Sequence, residues 1–197
     1  MELPIYRFEI KDDDGDETGV TAVSLVDEPA IERTWKAFKK VKSKYNIESE
    51  EKRIVSGPFM IANLPIYRRD ADGEYYAVFD RDTIELIRNK FMRNGWGTET
   101  NTMHEDNHTE KVYMVESFIV DQERGISVEG YGSITDGSWF GTYKVDDDDI
   151  WAKVKDGTFT GFSVEGIFEM AHLINTSEDK IDRIRDAING ISDALSD

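Results

Sequence analysis

Gly157-Thr158-Phe159-Thr160-Gly161-Phe162-Ser163-Val164-Glu165-Gly166-Ile167-Phe168 is the stretch on which the reading of this chain turns. Successive side chains of a β-strand point to opposite faces. A strand here puts Phe162, Val164, Phe168 and Met170 on one face and Gly161, Ser163 and Glu165 on the other. The first face is core. The second carries a serine with a small residue before it and an acid two positions on. Glycine weakens a strand unless something comes close to its backbone, so Gly161 and Gly166 predict a close neighbour, such as a peptide. A solvated serine on an edge strand fits the same spacing.

Working outward, the chain alternates short β-rich runs with two compact helices. Arg53 opens the main run of strands: 54–62, bent at Gly57-Pro58, then 75–79, 112–120, 126–134 and 139–145. One helix is capped by Asp80 or Asp82, buries Ile84, Ile87 and Phe91, and stops at Asn94-Gly95. A second opens at Asp146-Asp147-Asp148-Asp149 and runs through Ile150, Trp151 and Val154 to Gly157. Aspartates suit the free N–H groups and the dipole of a helix start; a calcium site is the other reading of that run. Ahead of the main run, Ile5 to Ile10 and Val20 to Val26 flank an Asp/Gly cluster, which is hairpin chemistry. A basic amphipathic helix follows over 32–44, and then a polar linker over 46–52. At the other end Ile181, Ile184, Ile188, Ile191 and Leu195 form an a/d seam. That tail helix is a candidate contact with the rest of the fold, with a scaffold, or with a second copy. The expected organisation is an N-terminal extension over 1–50, a main domain over 51–173 and a C-terminal amphipathic helix over 174–197.

Composition narrows the chemistry. The 197 residues carry 41 acidic and 24 basic side chains, a formal charge of −17, which disfavours binding to a phosphate backbone. With no cysteine there is no thiol nucleophile and no Cys-ligated metal. No apolar run is long enough to span a bilayer, and the start Met1-Glu2-Leu3-Pro4 lacks the layout of a signal peptide. The expectation is a soluble, acidic, intracellular protein with no nucleic-acid or membrane partner.

Histidine is the commonest general base near neutral pH, and the chain has only three: His104, His108 and His172. His104-Glu105-Asp106-Asn107-His108 matches the H-E-x-x-H pattern of zinc peptidases, which requires a helix to bring both imidazoles to one face. Asn, Asp and Thr dominate this segment, and no apolar stripe supports a helix. The other reading takes His104 as a lone base reaching Ser163. Glu116 falls, by strand alternation, in a row with Val112, Met114, Phe118 and Val120. A carboxylate there needs a partner. A histidine needing orientation would supply one, and so would an arginine or a wet face.

These residues carry a resemblance. Val55-Ser56-Gly57-Pro58, Tyr75 to Phe79, Met103-His104, Val115 to Val120, Gly141 to Trp151 and above all Gly157 to Gly166 are similar, in order, to the phage prohead (capsid maturation) serine proteases, specifically the XkdF-like branch. Val23 to Ala30 also resembles the family's N-terminal region. The resemblance implies an α+β, assemblin-like fold shared with herpesvirus maturational proteases: a compact, mainly antiparallel β-barrel core with flanking helices. It implies Ser163 as nucleophile and His104 as base, with no cofactor and no metal. The third member, an acid or a second histidine among relatives, is expected to be Glu116, with Asp106 and His172 behind it. It further implies scaffold and major capsid proteins as substrates, the chain itself among them, and action in the host cytoplasm inside an immature capsid. Nothing after Ser163 supplies the arginine of the herpesvirus oxyanion pattern. The competing expectations are a non-catalytic capsid-assembly or scaffold protein of the same fold, and a zinc peptidase using His104, Glu105 and His108.

Overall fold

The computed structural model describes residues 3–13, 16–29, 45–71, 73–129, 131 and 134–174. The basic segment 32–44 and the seam from Ile181 to Leu195 lie outside these residues. In chain order the strands are β1 (Ile5–Glu9), β2 (Gly19–Val26), β3 (Asn46–Ser49), β4 (Ile54–Met60), β5 (Ile66–Arg69) and β6 (Glu74–Val78). Helix α1 (Arg81–Arg93) and a 3₁₀ turn (Trp96–Thr98) precede β7 (Thr100–Thr102), β8 (Val112–Ile119) and β9 (Trp139–Val145). Helix α2 (Asp148–Asp156), β10 (Gly161–Ile167) and β11 (Glu169–Leu173) complete the order.

Both helices form where the sequence predicts them. Asp80 accepts from Thr83 N at 2.9 Å, and Asn94-Gly95 ends α1, with Gly95 at φ 73°. Ile84, Ile87 and Phe91 are fully buried beneath α1. Asp147 accepts from the N–H groups of Asp149 and Ile150 at 3.0 Å each, and Gly157 closes α2 at φ 81°.

The fold is α+β and mostly strand. Among the described residues the strands form three sheets, ordered β11-β1-β6-β5, β10-β2-β7 and β3-β4-β9-β8, rather than one closed barrel. β10 approaches β4 through side chains instead of a ladder. The Phe162 ring lies 5.0 Å from Phe59 and 5.4 Å from Tyr143, in the core that also holds Trp139 and Phe91. Aromatic rings of this size hold strands too far apart for backbone pairing and contribute the apolar burial themselves. Gly141 makes room for them: a Cβ there would stand 2.5 Å from both Phe59 and the Glu116 carbonyl.

Four expectations change. The predicted N-terminal hairpin does not form, because β1 pairs with β6 and β11 while β2 pairs with β10 and β7. β1 and β2 are thus interior strands of two sheets, and Val20, Val23 and Leu25 sit in the main core. The polar linker 46–52 contains strand β3. The run 126–134 gives only an isolated bridge between Asp121 and Ile126, and Tyr131 and Ile134 instead cover Phe140 on the outer face of the third sheet. Last, β8 carries a bulge between Met114 and Glu116. Val115 is the unpaired residue, and the alternation changes phase there. Val112, Met114 and Ile119 therefore face the main core, while Glu116 and Phe118 face outward.

The close neighbours of the two β10 glycines are internal. A Cβ on Gly161 would meet Pro29 at 2.1 Å, and one on Gly166 would meet the Gly19 carbonyl at 2.0 Å. No bound peptide is needed to explain either. No helix of the described residues is long and apolar enough to cross a membrane.

Candidate active site

The second sheet builds the site. Ser163 on β10 stands opposite Ser24 on β2, and Ser24 stands opposite Asn101 on β7, so three polar side chains form one row on one face. Glu165, two positions along β10, shares that face.

Beyond β7 the chain turns back over the row. Met103 and His104 both adopt left-handed backbone, at φ 57° and 58°, a conformation that costs energy in a non-glycine residue and recurs at functional sites. The turn is clamped. Met103 N donates to Leu25 O at 3.0 Å, Thr102 N to Asn107 Oδ1 at 2.9 Å, and Asn107 Nδ2 to Thr102 Oγ1 at 2.8 Å.

Held in this way, His104 Nδ1 lies 3.1 Å from Glu165 Oε1 and 3.1 Å from Ser24 Oγ. Ser24 Oγ also hydrogen-bonds Glu165 Oε1 and lies 2.5 Å from Asn101 Oδ1, while Asn101 Nδ2 donates to Glu165 Oε1 at 2.6 Å. Burial on its own pushes the Glu165 carboxyl up. Hydrogen bonds from Ser24, Asn101 and His104, with the charge of His104, outweigh it and hold the group below the usual glutamate range. An ionised Glu165 accepts the Nδ1 proton, which leaves Nε2 of His104 as the basic nitrogen.

Ser163 and His104 line one cavity of about 420 Å³, together with Met103 and Arg68. The Ser163 side chain opens into it; Ser24 is completely buried and out of a ligand's reach. Among the described residues no hydrogen bond joins Ser163 Oγ to the His104 ring.

The other expected residues fall elsewhere. Glu116 is not brought to His104: its Oε2 accepts from Thr142 Oγ1 at 2.5 Å on the outer face of the third sheet, because the bulge at Val115 turns it there. Asp106 is exposed on the histidine loop. His172 belongs to β11, in register with Arg7 of the first sheet. The H-E-x-x-H segment is not helical, and its two imidazoles turn to different carboxylates, His104 to Glu165 and His108 to Glu99 at 3.6 Å. Among the described residues no group of three or more His, Asp or Glu side chains is arranged to hold a metal ion. Sequence reasoning missed Glu165 and Ser24 as partners of His104, and Asn101 as the residue that ties those two together. Two of them left a trace: Glu165 shares the Ser163 face, and Ser24 is a polar residue within the apolar Val23-Leu25-Val26 run.

Comparison with known families places the chain in one of them. The family model described as "Putative phage serine protease XkdF" matches residues 39–172, and the chain belongs to that family. The matched span contains both Ser163 and His104, whereas Ser24 precedes it. No curated protein and no solved structure matches the chain.

Proposed function

We propose that this chain is a serine endopeptidase of phage capsid maturation, acting on scaffold and capsid proteins and on itself, with Ser163 as nucleophile, His104 as general base and Glu165 as the acid that orients it. The observation that carries the reading is the Glu165–His104 Nδ1 contact at 3.1 Å beside a cavity shared with Ser163. Membership of a phage serine protease family supports it. The assemblin-like relationship belongs to this proposal too, as layered sheets in place of a closed barrel.

In the reaction, Ser163 Oγ attacks the scissile carbonyl as its proton passes to His104 Nε2. The imidazolium is stabilised by Glu165, and its proton then goes to the leaving amine. Water, activated by the same nitrogen, releases the acyl group. Arg68 borders the cavity and supplies a permanent positive charge for the developing oxyanion. Serine and base must draw together when substrate binds, which is common for catalytic pairs in unliganded enzymes. The test is Ser163→Ala, assayed for cleavage of the phage's own scaffold and capsid proteins, with a serine-directed phosphonate applied to the unmutated protein. Loss of cleavage in the variant and labelling at Ser163 are expected.

The missing Ser163–His104 hydrogen bond favours one other reading, a non-catalytic assembly protein. Absence of both cleavage and labelling in the unmutated protein would establish it.

A further inference from the structure

Two cavities meet at the His104 ring, and their walls differ. The one containing Ser163 is edged by charge, with Asp27, Glu28, Arg68 and Arg69 around it. The other, about 590 Å³, shares Arg68 and His104 with the first and adds Glu165, but its remaining walls are mostly aromatic and apolar, with Phe8, Tyr75, Phe79, Val164 and Phe168 among them. Phe8 and Tyr75 stack nearly parallel at 6.0 Å, and Phe79 meets Phe168 edge-on at 4.9 Å. These rings brace one another around open space. Its volume falls in the roughly 300–1,000 Å³ range of ligand sites, which are lined mostly by apolar and aromatic groups with a few polar groups at one end.

We propose that this aromatic-walled cavity is a specificity pocket for a large apolar side chain of the peptide substrate, such as Leu, Ile, Met or Phe, close to the scissile bond; the proposal rests on the serine-peptidase reading above. Continuity carries it. The general base and its orienting acid line the pocket, so a side chain seated there belongs to a peptide whose backbone passes the His104 ring. Burying such a side chain draws on the hydrophobic effect, which Ala cannot match in so wide a space. The charged rim around Ser163 repels an equally apolar side chain, so the preference falls on one side of the cleaved bond only.

The test is cleavage of a peptide library based on the phage's own processing sites, varied at each position about the scissile bond. One position is expected to prefer Leu or Phe over Ala by about tenfold or more in kcat/KM. Val164→Trp, which fills the pocket, lowers that Leu-to-Ala ratio at least tenfold, with folding checked by circular dichroism. Equal cleavage of Leu and Ala peptides, or an unchanged ratio in Val164→Trp, overturns the proposal. If no peptide is cleaved, the peptidase reading has failed, and the pocket is judged separately by NMR titration of N-acetyl-leucinamide into the full chain. Perturbation of Phe8, Ala77 and Val164 resonances, abolished in Val164→Trp, supports it; no perturbation overturns it.

Discussion

Two carboxylates of this molecule sit in nearly matching surroundings. Glu165 lies across from the hydroxyl of Ser24 on one sheet, and Glu116 lies across from the hydroxyls of Thr142 and Ser56, which are 2.8 Å apart, on another. Both cross three strands by way of short polar side chains. They differ in what else arrives. The Glu165 cluster receives an amide from β7 and an imidazole from the strained turn that follows it. The Glu116 cluster receives neither, and the loop residue Tyr131 covers the strand beside it, bonding its hydroxyl to the Ser56 carbonyl. A carboxylate among hydroxyls is therefore not a site in itself. A cavity of about 620 Å³ adjoins Glu116 as well, so what singles out the Glu165 cluster as a candidate site is the histidine held against it.

The contrast can be broken at several points. The largest effect is expected for Ser163→Ala, which lowers kcat/KM by about 10⁴-fold or more in a capsid-protein cleavage assay, while Glu116→Gln stays within about twofold. Glu165→Gln comes next, at roughly 10³–10⁴-fold in kcat, because an amide no longer fixes the Nδ1 proton. Equal losses in Glu116→Gln and Glu165→Gln would erase the distinction.

Ser24→Ala removes one buried donor to Glu165, costing about 1–3 kcal/mol, or roughly five- to 150-fold in kcat/KM. A rise in the acidic limb of its pH–rate profile separates this positioning role from simple loss of stability. The pH dependence of stability in the unmutated protein follows in part from the depressed Glu165 carboxyl. A group more acidic folded than unfolded contributes stability above its unfolded value and loses it as pH falls through its folded value. The contribution of Glu165 to the melting temperature is thus expected to hold down to the ordinary glutamate range and to fall only below it. Asp16 behaves in the same sense. The Thr18 hydroxyl above all, with Lys90 Nζ at 3.1 Å, brings its carboxyl down to about 2, so the Asp16–Lys90 tie is lost only in strong acid. The smallest effect is expected for deletion of Val115. It is the unpaired bulge residue, and its removal leaves every flanking side chain on its present face, so thermal unfolding should shift by only a few degrees.

Elements governed by local chemistry were legible in the sequence. The caps at Asp80 and Asp147, the stripe Ile84-Ile87-Phe91 and the alternation from Gly161 to Glu165 all depend on residues a few positions apart. Met170, by contrast, was expected on the Phe162 face of one continuous strand and is exposed on β11 in another sheet. Ser163 and His104 were named through a resemblance carried by short motifs, and both line one cavity. What failed depends on distant partners. The Asp/Gly cluster before β2 says nothing of which strands then pair. Alternation around Glu116 fails because a single extra residue reverses the phase of all that follows, and no composition signal marks Val115. Glu165 was placed on the right face but left unassigned, because its partners come from β2 and β7, far away along the chain.

Assembly order carries a last consequence. Ser24 and Glu165 are 141 positions apart, and Asn101 and Glu165 are 64 apart. Closing loops of that length is slow compared with forming local turns. In a nascent chain the turn that carries His104 is made before β10, so Ser24, Asn101, His104 and Glu165 come together only once β10 has been made.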